Sequence, residues 1–171
     1  MEKNQFALES FKNIQELIRF IDQKAGAALV LAGLILTSFL EHSKKVQFIS
    51  FQNVETIGWL CFISGFITLF FVMLVFYCSI FKVLKPRLAQ NYSKDEYSLF
   101  YFEHLEKMGK EKTIRDYQVL DENIMLKNII DQQYEISKIM VKKTRNLGYT
   151  FNLLVAAFIF FLLFLLTLSL I

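Results

Sequence analysis

A long uncharged run that directly follows two charged residues constrains the fold of this chain most strongly. Asp22 and Lys24 precede the uncharged run Ala25–Leu40. At 1.5 Å per residue in an α-helix that run is about 24 Å long, and adding Phe20–Lys24 makes it long enough for a hydrocarbon core of about 30 Å. The sequence therefore predicts a transmembrane helix that carries an acidic and a basic residue at one end.

Two further apolar segments have the length of membrane spans. Ile57–Leu84 is interrupted only by Lys82, and Leu147–Ile171 ends the sequence. Apolar residues make up 54% of the chain, with 19 phenylalanines and one proline, which is too apolar for an ordinary soluble domain. The predicted fold class is an all-α membrane protein with three transmembrane helices. Extensions of the spans and a short central helix form a helical cytosolic domain.

The order of polar and apolar stretches predicts six segments. They are a cytosolic N-terminal helix over 1–24, transmembrane helix 1 over 25–40, a short periplasmic loop over 41–56, transmembrane helix 2 over 57–84, a cytosolic helical sensing region over 85–146 and transmembrane helix 3 over 147–171. Apolar residues recur at helical spacing before the first span, so one helix is predicted from about Gln5 to Leu40. This mixed-charge lead has no small-residue cleavage site, which argues against a cleaved signal peptide.

Capping signals predict the helices of the sensing region. Ser93 and Glu96 have the spacing of a capping box, so a helix is predicted to begin near Ser93 and to end near Gly109. No glycine or proline lies between Thr113 and Leu147. The sequence therefore predicts one helix from about Thr113 that continues through the third span.

The positions of lysine and arginine predict the orientation. Four precede the first span, two (Lys44 and Lys45) lie in the first loop, thirteen lie from Lys82 to Arg145, and none follows. Cytoplasmic segments of membrane proteins are enriched in these residues. The N-terminus and the central segment are therefore predicted to be cytoplasmic, and the first loop and Ile171 are predicted to lie on the other side of the membrane.

Charged residues are expected to gather at the cytosolic ends of the three spans. Asp22 is unusual among them because it is acidic. Cations at that level are explained by orientation and by anionic lipid, whereas an acid there is better placed when a cation of a neighbouring helix or protomer holds it. Such a contact is either a structural clamp or a switch that breaks on activation. We assign Asp22, Lys24 and Arg87 to this structural or switch role.

Small residues predict where the spans pack closely. Four-residue spacing of such residues allows helix backbones to approach one another within a membrane, but it does not fix an oligomeric state. The small residues concerned are Ala28, Ala32 and Gly33 on the first helix and Gly58 and Gly65 on the second.

An aromatic run in the central segment, Ser98–Met108, suggests a ligand site. Aromatic rings stack on bases, and nearby cations hold phosphates. The alternative is an apolar helix that packs against the third helix. The candidate nucleotide-binding residues are Phe100, Tyr101, His104, Arg115, Lys138 and Lys142.

Other kinds of site find no support in the sequence. Acidic residues offset the bases of the central segment, which argues against nucleic acid as the ligand. No catalytic motif, metal-ligand spacing or cofactor fingerprint occurs, so no enzyme activity, metal or cofactor is expected. Cys61 and Cys78 lie about 25 Å apart along one helix, too far for a disulfide within it.

Four stretches in the same order resemble the transmembrane effector family of Pycsar antiphage systems. They are DQKAGAAL (22–29), KVLKPRL (82–88), SLFYFEHLEKM (98–108) and IIDQQYEISKIMVKKTRNLGYTFNLL (129–154). The aromatic run of the family usually contains a glycine, which FYFEHL lacks. Asp131, Ile136 and Lys138 fit the family's pattern before the last span loosely.

The resemblance implies a multi-pass effector of the bacterial inner membrane. It would be activated by a cyclic pyrimidine mononucleotide, cyclic UMP or cyclic CMP, from a partner cyclase. Activation would impair the membrane of the infected cell, and a homo-oligomer in contact with membrane lipid is expected. Two alternatives remain open. One is an effector of a related cyclic-oligonucleotide defence system, and the other is a membrane scaffold that recruits a cytosolic partner.

Overall fold

Five α-helices and one π-helical segment make up the computed structural model, which describes residues 3–44, 56–86, 99 and 102–171. The helices are α1 (Lys3–Ser43), α2 (Thr56–Tyr77), the π-helical segment (Cys78–Leu84), α3 (Phe102–Met108), α4 (Lys110–Gln118) and α5 (Glu122–Leu168). No strand occurs among these described residues. The prediction of an all-α membrane protein with three spans is confirmed, because three helices are long and apolar enough to cross a membrane: Lys3–Ser43, Thr56–Leu84 and Glu122–Leu168.

The chain divides into two compact units, and α1 and α5 contribute to both. The polar unit comprises Met1–Phe20 and Pro86–Lys142, and the apolar unit comprises Ile21–Lys85 and Lys143–Ile171. The polar unit thus contains the beginning of α1, all of α3 and α4, and the first half of α5. The apolar unit contains the three candidate membrane spans.

A regular seam on α1 builds the core of the apolar unit. Its buried residues alternate at spacings of four and three, which keeps one narrow face of a helix against its neighbour. They are Ile21, Ala25, Ala28, Ala32, Ile35 and Phe39. Buried residues of α5 follow the same spacing: Lys143, Leu147, Thr150, Leu154, Ala157, Phe161 and Phe164. The three alanines at the centre of the α1 seam are fully buried, so small side chains allow close helix approach there, as predicted for Ala28 and Ala32.

The three spans meet at Gly65 of α2. The rings of Phe39 and Phe164 lie 4.8 Å apart, and a Cβ on Gly65 would lie 3.1 Å from the first ring and 3.2 Å from the second. A Cβ at this position would fit only if the rings moved by a few tenths of an ångström, which agrees with the close approach predicted at Gly65. Gly33 makes no such approach, since a Cβ there would meet no atom within 4 Å.

The second span changes its hydrogen-bond pattern near its end. Cys78–Leu84 is π-helical, and the N–H of Lys85 donates to the carbonyl of Ile80 at 2.9 Å. In an α-helix the carbonyl of Lys82 would accept from residue 86, but Pro86 has no N–H. Asn146 of α5 supplies the donor instead, with its Nδ2 at 3.0 Å from that carbonyl.

The polar unit is joined by side-chain hydrogen bonds between distant parts of the chain. Gln133 Nε2 of α5 donates to Ser10 Oγ of α1 at 2.7 Å. Tyr117 Oη of α4 donates to the carbonyl of Leu99 at 3.5 Å. Between α3 and α4, Gly109 has a φ of +74°, a conformation that favours glycine and ends α3 where the sequence predicted a stop.

The prediction of one helix from about Thr113 through the third span is wrong. α4 ends at Gln118, and α5 begins at Glu122. Asp121 explains the new start, because its Oδ1 accepts a hydrogen bond of 2.7 Å from the N–H of Ile124, as an N-cap residue does. The absence of glycine and proline was therefore insufficient to predict a continuous helix.

The first helix is longer than the sequence predicted. α1 covers the predicted helix from Gln5 to Leu40 and extends it to Ser43, which leaves less of residues 41–56 for the loop. The predicted helix start at Ser93 lies outside the described residues. Cys61 and Cys78 are both free thiols.

Candidate functional site

An ion pair joins α1 to α5 at the beginning of the apolar unit. Lys143 Nζ donates hydrogen bonds of 2.6 and 2.9 Å to the two carboxylate oxygens of Asp22. The side chain of Lys143 is 6% exposed and that of Asp22 is 34% exposed. A cation of a neighbouring helix thus holds Asp22. Whether the pair acts as a clamp or as a switch stays a prediction.

The structure describes one of the other two residues that were assigned to the structural or switch role. Lys24 lies on α1 with an exposed side chain. Arg87 lies outside the described residues. Sequence reasoning did not identify Lys143 as the partner of Asp22. Lys142, Lys143 and Arg145 are three neighbouring cations, and their residue types do not distinguish them. Counting the seam spacing of four and three back from Leu147 would have selected Lys143.

The predicted nucleotide-binding residues that the structure describes lie on three helices of the polar unit. His104 on α3 is buried, whereas Arg115 on α4 and Lys138 and Lys142 on α5 are exposed. Phe100 and Tyr101 lie outside the described residues. The nucleotide-binding role of this set stays a prediction.

Lys138 is the member of this set with a defined electrostatic setting. Its Nζ donates to Glu135 Oε1 at 2.9 Å and lies 4.0 Å from the ring centroid of Tyr134. The hydrogen bond to Glu135 is the main cause that raises the pKa of Lys138 above its ordinary value. The ammonium group is therefore charged near neutral pH, and it lies next to a tyrosine residue that is 62% exposed.

Two buried polar residues beside Lys138 were missed by sequence reasoning. Gln132 is 4% exposed and Glu135 is 8% exposed, although both stand in a stretch whose polar residues resemble those of a solvated helix. Their positions three and six residues after the buried Ile129 were the available signal. A donor, an acceptor and a cation therefore follow one another along α5 at residues 132, 135 and 138.

A separate apolar groove lies elsewhere in the polar unit. It has a volume of about 460 Å³ and is lined by Lys3, Phe6, Ala7, Leu126, Ile130 and Gln133. Of the predicted nucleotide-binding residues that the structure describes, none lines it. Its few polar groups give little basis for recognising a charged ligand. Among the described residues, no group of three or more His, Cys, Asp or Glu side chains is placed to hold a metal ion.

Comparisons with known proteins give one family. The profile described as "Pycsar effector protein domain" matches residues 6–170. The chain is also 29% identical, over 99 residues, to "Pycsar effector protein TpPycTM" of Treponema porcinum, a match that covers 58% of this chain and 80% of the relative. No solved structure matches.

The match to the family profile extends over both units. Residues 6–170 include all three candidate membrane spans as well as the helices of the polar unit. The earlier resemblance, which depended on four short stretches, is thereby confirmed. This three-span membrane protein belongs to the Pycsar effector family, whose members are effectors of antiphage defence.

Proposed function

We propose that this chain is a membrane effector activated by a cyclic pyrimidine mononucleotide, cyclic UMP or cyclic CMP. The nucleotide comes from a partner cyclase and binds the polar unit in the cytoplasm of the infected bacterium. Activation changes the packing of the three spans and impairs the inner membrane. The chain acts by binding and rearrangement, without catalysis, and as a homo-oligomer in contact with membrane lipid.

The observation that carries the proposal is the extent of the family match. A profile that stopped at the spans would describe a membrane anchor, whereas this one continues through the helices of the polar unit. A receptor needs a part outside the membrane that binds a soluble signal and a part inside it that responds. Both parts are included in the matched residues.

Lys138 and Tyr134 support a nucleotide as the ligand of the polar unit. An ammonium group at the protein surface pairs with a phosphate, and the Tyr134 ring holds this ammonium in place through a cation–π contact. The ring and the ammonium group lie together on α5. Phe100, Tyr101, His104, Arg115 and Lys142 are proposed to complete the site.

A thermal-shift measurement on the purified full chain in detergent tests the ligand. Cyclic UMP or cyclic CMP should raise Tm in proportion to the logarithm of ligand concentration, because a ligand that binds only the folded state stabilises it by mass action. Cyclic dinucleotides and cyclic AMP serve as controls. A shift with cyclic dinucleotides alone would assign the chain to the related oligonucleotide-activated class, and no shift with any nucleotide would favour a scaffold.

A further inference from the structure

A buried amide without a hydrogen-bond partner lies on α5 inside the polar unit. Gln132 is 4% exposed, and its Nε2 has no partner in the part of the chain that the structure describes. A buried N–H group without an acceptor loses its hydration with nothing in return, so such groups normally meet a water molecule or a ligand. The adjacent Gln133 provides the contrast, because its Nε2 donates to Ser10 Oγ.

A buried acceptor lies one helical turn away. Glu135 is 8% exposed, and residues three apart on a helix are neighbours on its surface, with Cβ atoms about 5–6 Å apart. Glu135 uses Oε1 to bind Lys138, whose side chain is 40% exposed. Residues 132, 135 and 138 therefore form a polar row that runs from the interior of the unit to solvent.

We propose that Gln132 and Glu135 bind the hydrogen-bonding edge of the ligand's base. This inference rests on the proposed function. Gln132 Nε2 donates to an acceptor of the base, and the carboxylate of Glu135 accepts from the adjacent donor. Uracil offers O4 beside N3–H, and cytosine offers N3 beside its amino group. At the exposed end of the row, Lys138 is placed to pair with the cyclic phosphate.

The polar row recognises an acceptor and a donor that are adjacent on one edge of a base. Purine bases also present an acceptor beside a donor, so the pair orients a base and does not by itself select pyrimidines. A single buried water molecule would satisfy the same atom of Gln132. Loss of the Gln132 amide should lower nucleotide affinity if the amide binds the base, and should leave it unchanged if the amide binds only water.

Isothermal titration of the full chain in detergent with cyclic UMP and cyclic CMP tests the proposal. Gln132→Leu removes the unpartnered donor with little change of volume, so Tm of the free protein should be unchanged or higher. Affinity should fall about tenfold or more, the cost of one hydrogen bond to a buried polar group. The matched control is Gln133→Leu, which breaks the bond to Ser10. It should lower Tm and leave affinity within about threefold.

A second measurement requires no substitution in the protein. Methylation of the better ligand at its donor nitrogen (N3 of uracil, or twice at N4 of cytosine) should lower the affinity of the wild-type chain by about tenfold or more. Unchanged affinity for the methylated ligand, or unchanged affinity in Gln132→Leu, overturns the inference. A loss of Tm in Gln132→Leu would indicate a structural role and overturn it as well. If the wild-type chain binds neither nucleotide, the proposed function itself is overturned.

Discussion

Lys143 holds Asp22 through both carboxylate oxygens, yet the two residues are buried to very different degrees. The lysine side chain is 6% exposed and the aspartate side chain is 34% exposed. Removal of Asp22 leaves a buried ammonium group without its counter-ion, whereas removal of Lys143 leaves a carboxylate that already reaches water. Removal of Asp22 is therefore expected to lower the free energy of unfolding more than removal of Lys143.

Asp22→Ala should destabilise the protein by about 3 kcal/mol, the lower end of the range for breaking a buried pair, because Asp22 is only partly buried. Lys143→Met should cost less, and the double variant should recover most of the loss. Denaturation of the purified variants measures these costs.

In cells, Asp22→Ala should either lose assembled protein or become toxic without a nucleotide signal. Wild-type stability together with wild-type toxicity would show that Asp22 is an ordinary surface residue.

The predicted orientation can be measured with a membrane-impermeant thiol reagent on spheroplasts. In a Cys61→Ala, Cys78→Ala background, Gln47→Cys in the first loop should be labelled and Lys112→Cys on α4 should be protected until the membrane is opened. The physical reason is the excess of Lys and Arg in the central segment. Labelling of Lys112→Cys on closed spheroplasts would contradict both the orientation and the sensing of a cytoplasmic nucleotide.

Gly65→Leu should disrupt the packing of the three spans. A Cβ at this position already lies 3.1 Å from Phe39 and 3.2 Å from Phe164, and overpacking of this kind costs about 1–3 kcal/mol. Gly33→Leu is the matched control, because a Cβ at Gly33 meets nothing within 4 Å and the added side chain should be tolerated. Thermal unfolding in detergent compares the two variants, and equal Tm values would contradict the observed packing.

α5 offers a route for coupling because it is one helix from Glu122 to Leu168, from the proposed binding residues through the third span. Shifting a two-state equilibrium from about 1:99 to 99:1 requires about 5.5 kcal/mol of differential affinity, which a stacked base and a few charged contacts are large enough to supply.

The pair Val141→Gly and Thr144→Gly should weaken this coupling without replacing any proposed binding side chain, since each glycine costs a helix about 1 kcal/mol. Lys142 and Lys143 lie between the two positions, so the alanine pair at the same positions is the matched control. The variant should bind nucleotide and fail to kill, whereas Val141→Ala with Thr144→Ala should do both. Normal killing by the glycine variant would favour clustering of whole protomers over movement of α5.

The spans and one of their glycines could be predicted from the sequence because each depends on local composition. Ala28, Ala32 and Gly65 lie where small residues in apolar helices were expected to pack. Three neighbouring cations could each have been the partner of Asp22. Choosing Lys143 requires knowing which face of α5 is buried. The break before Glu122 depends on a side-chain cap from Asp121, which a search for glycine and proline does not detect.

The buried polar residues were the least predictable part of the candidate site. Gln132 and Glu135 are polar residues in a charged stretch, and only the packing of the polar unit distinguishes them from solvated neighbours such as Asp131. The hydrogen bond from Asn146 to the carbonyl of Lys82 likewise joins two helices, so the sequence of the second span alone does not predict it.

Dye release from liposomes that contain only the purified chain tests the central claim most directly. Addition of cyclic UMP or cyclic CMP should release an encapsulated fluorophore, and cyclic AMP at the same concentration should not. The variant Val141→Gly with Thr144→Gly should remain sealed, although titration shows that it binds. If neither cyclic pyrimidine nucleotide opens liposomes in which the chain is folded and correctly oriented, nucleotide-gated impairment of the membrane by this protein is contradicted.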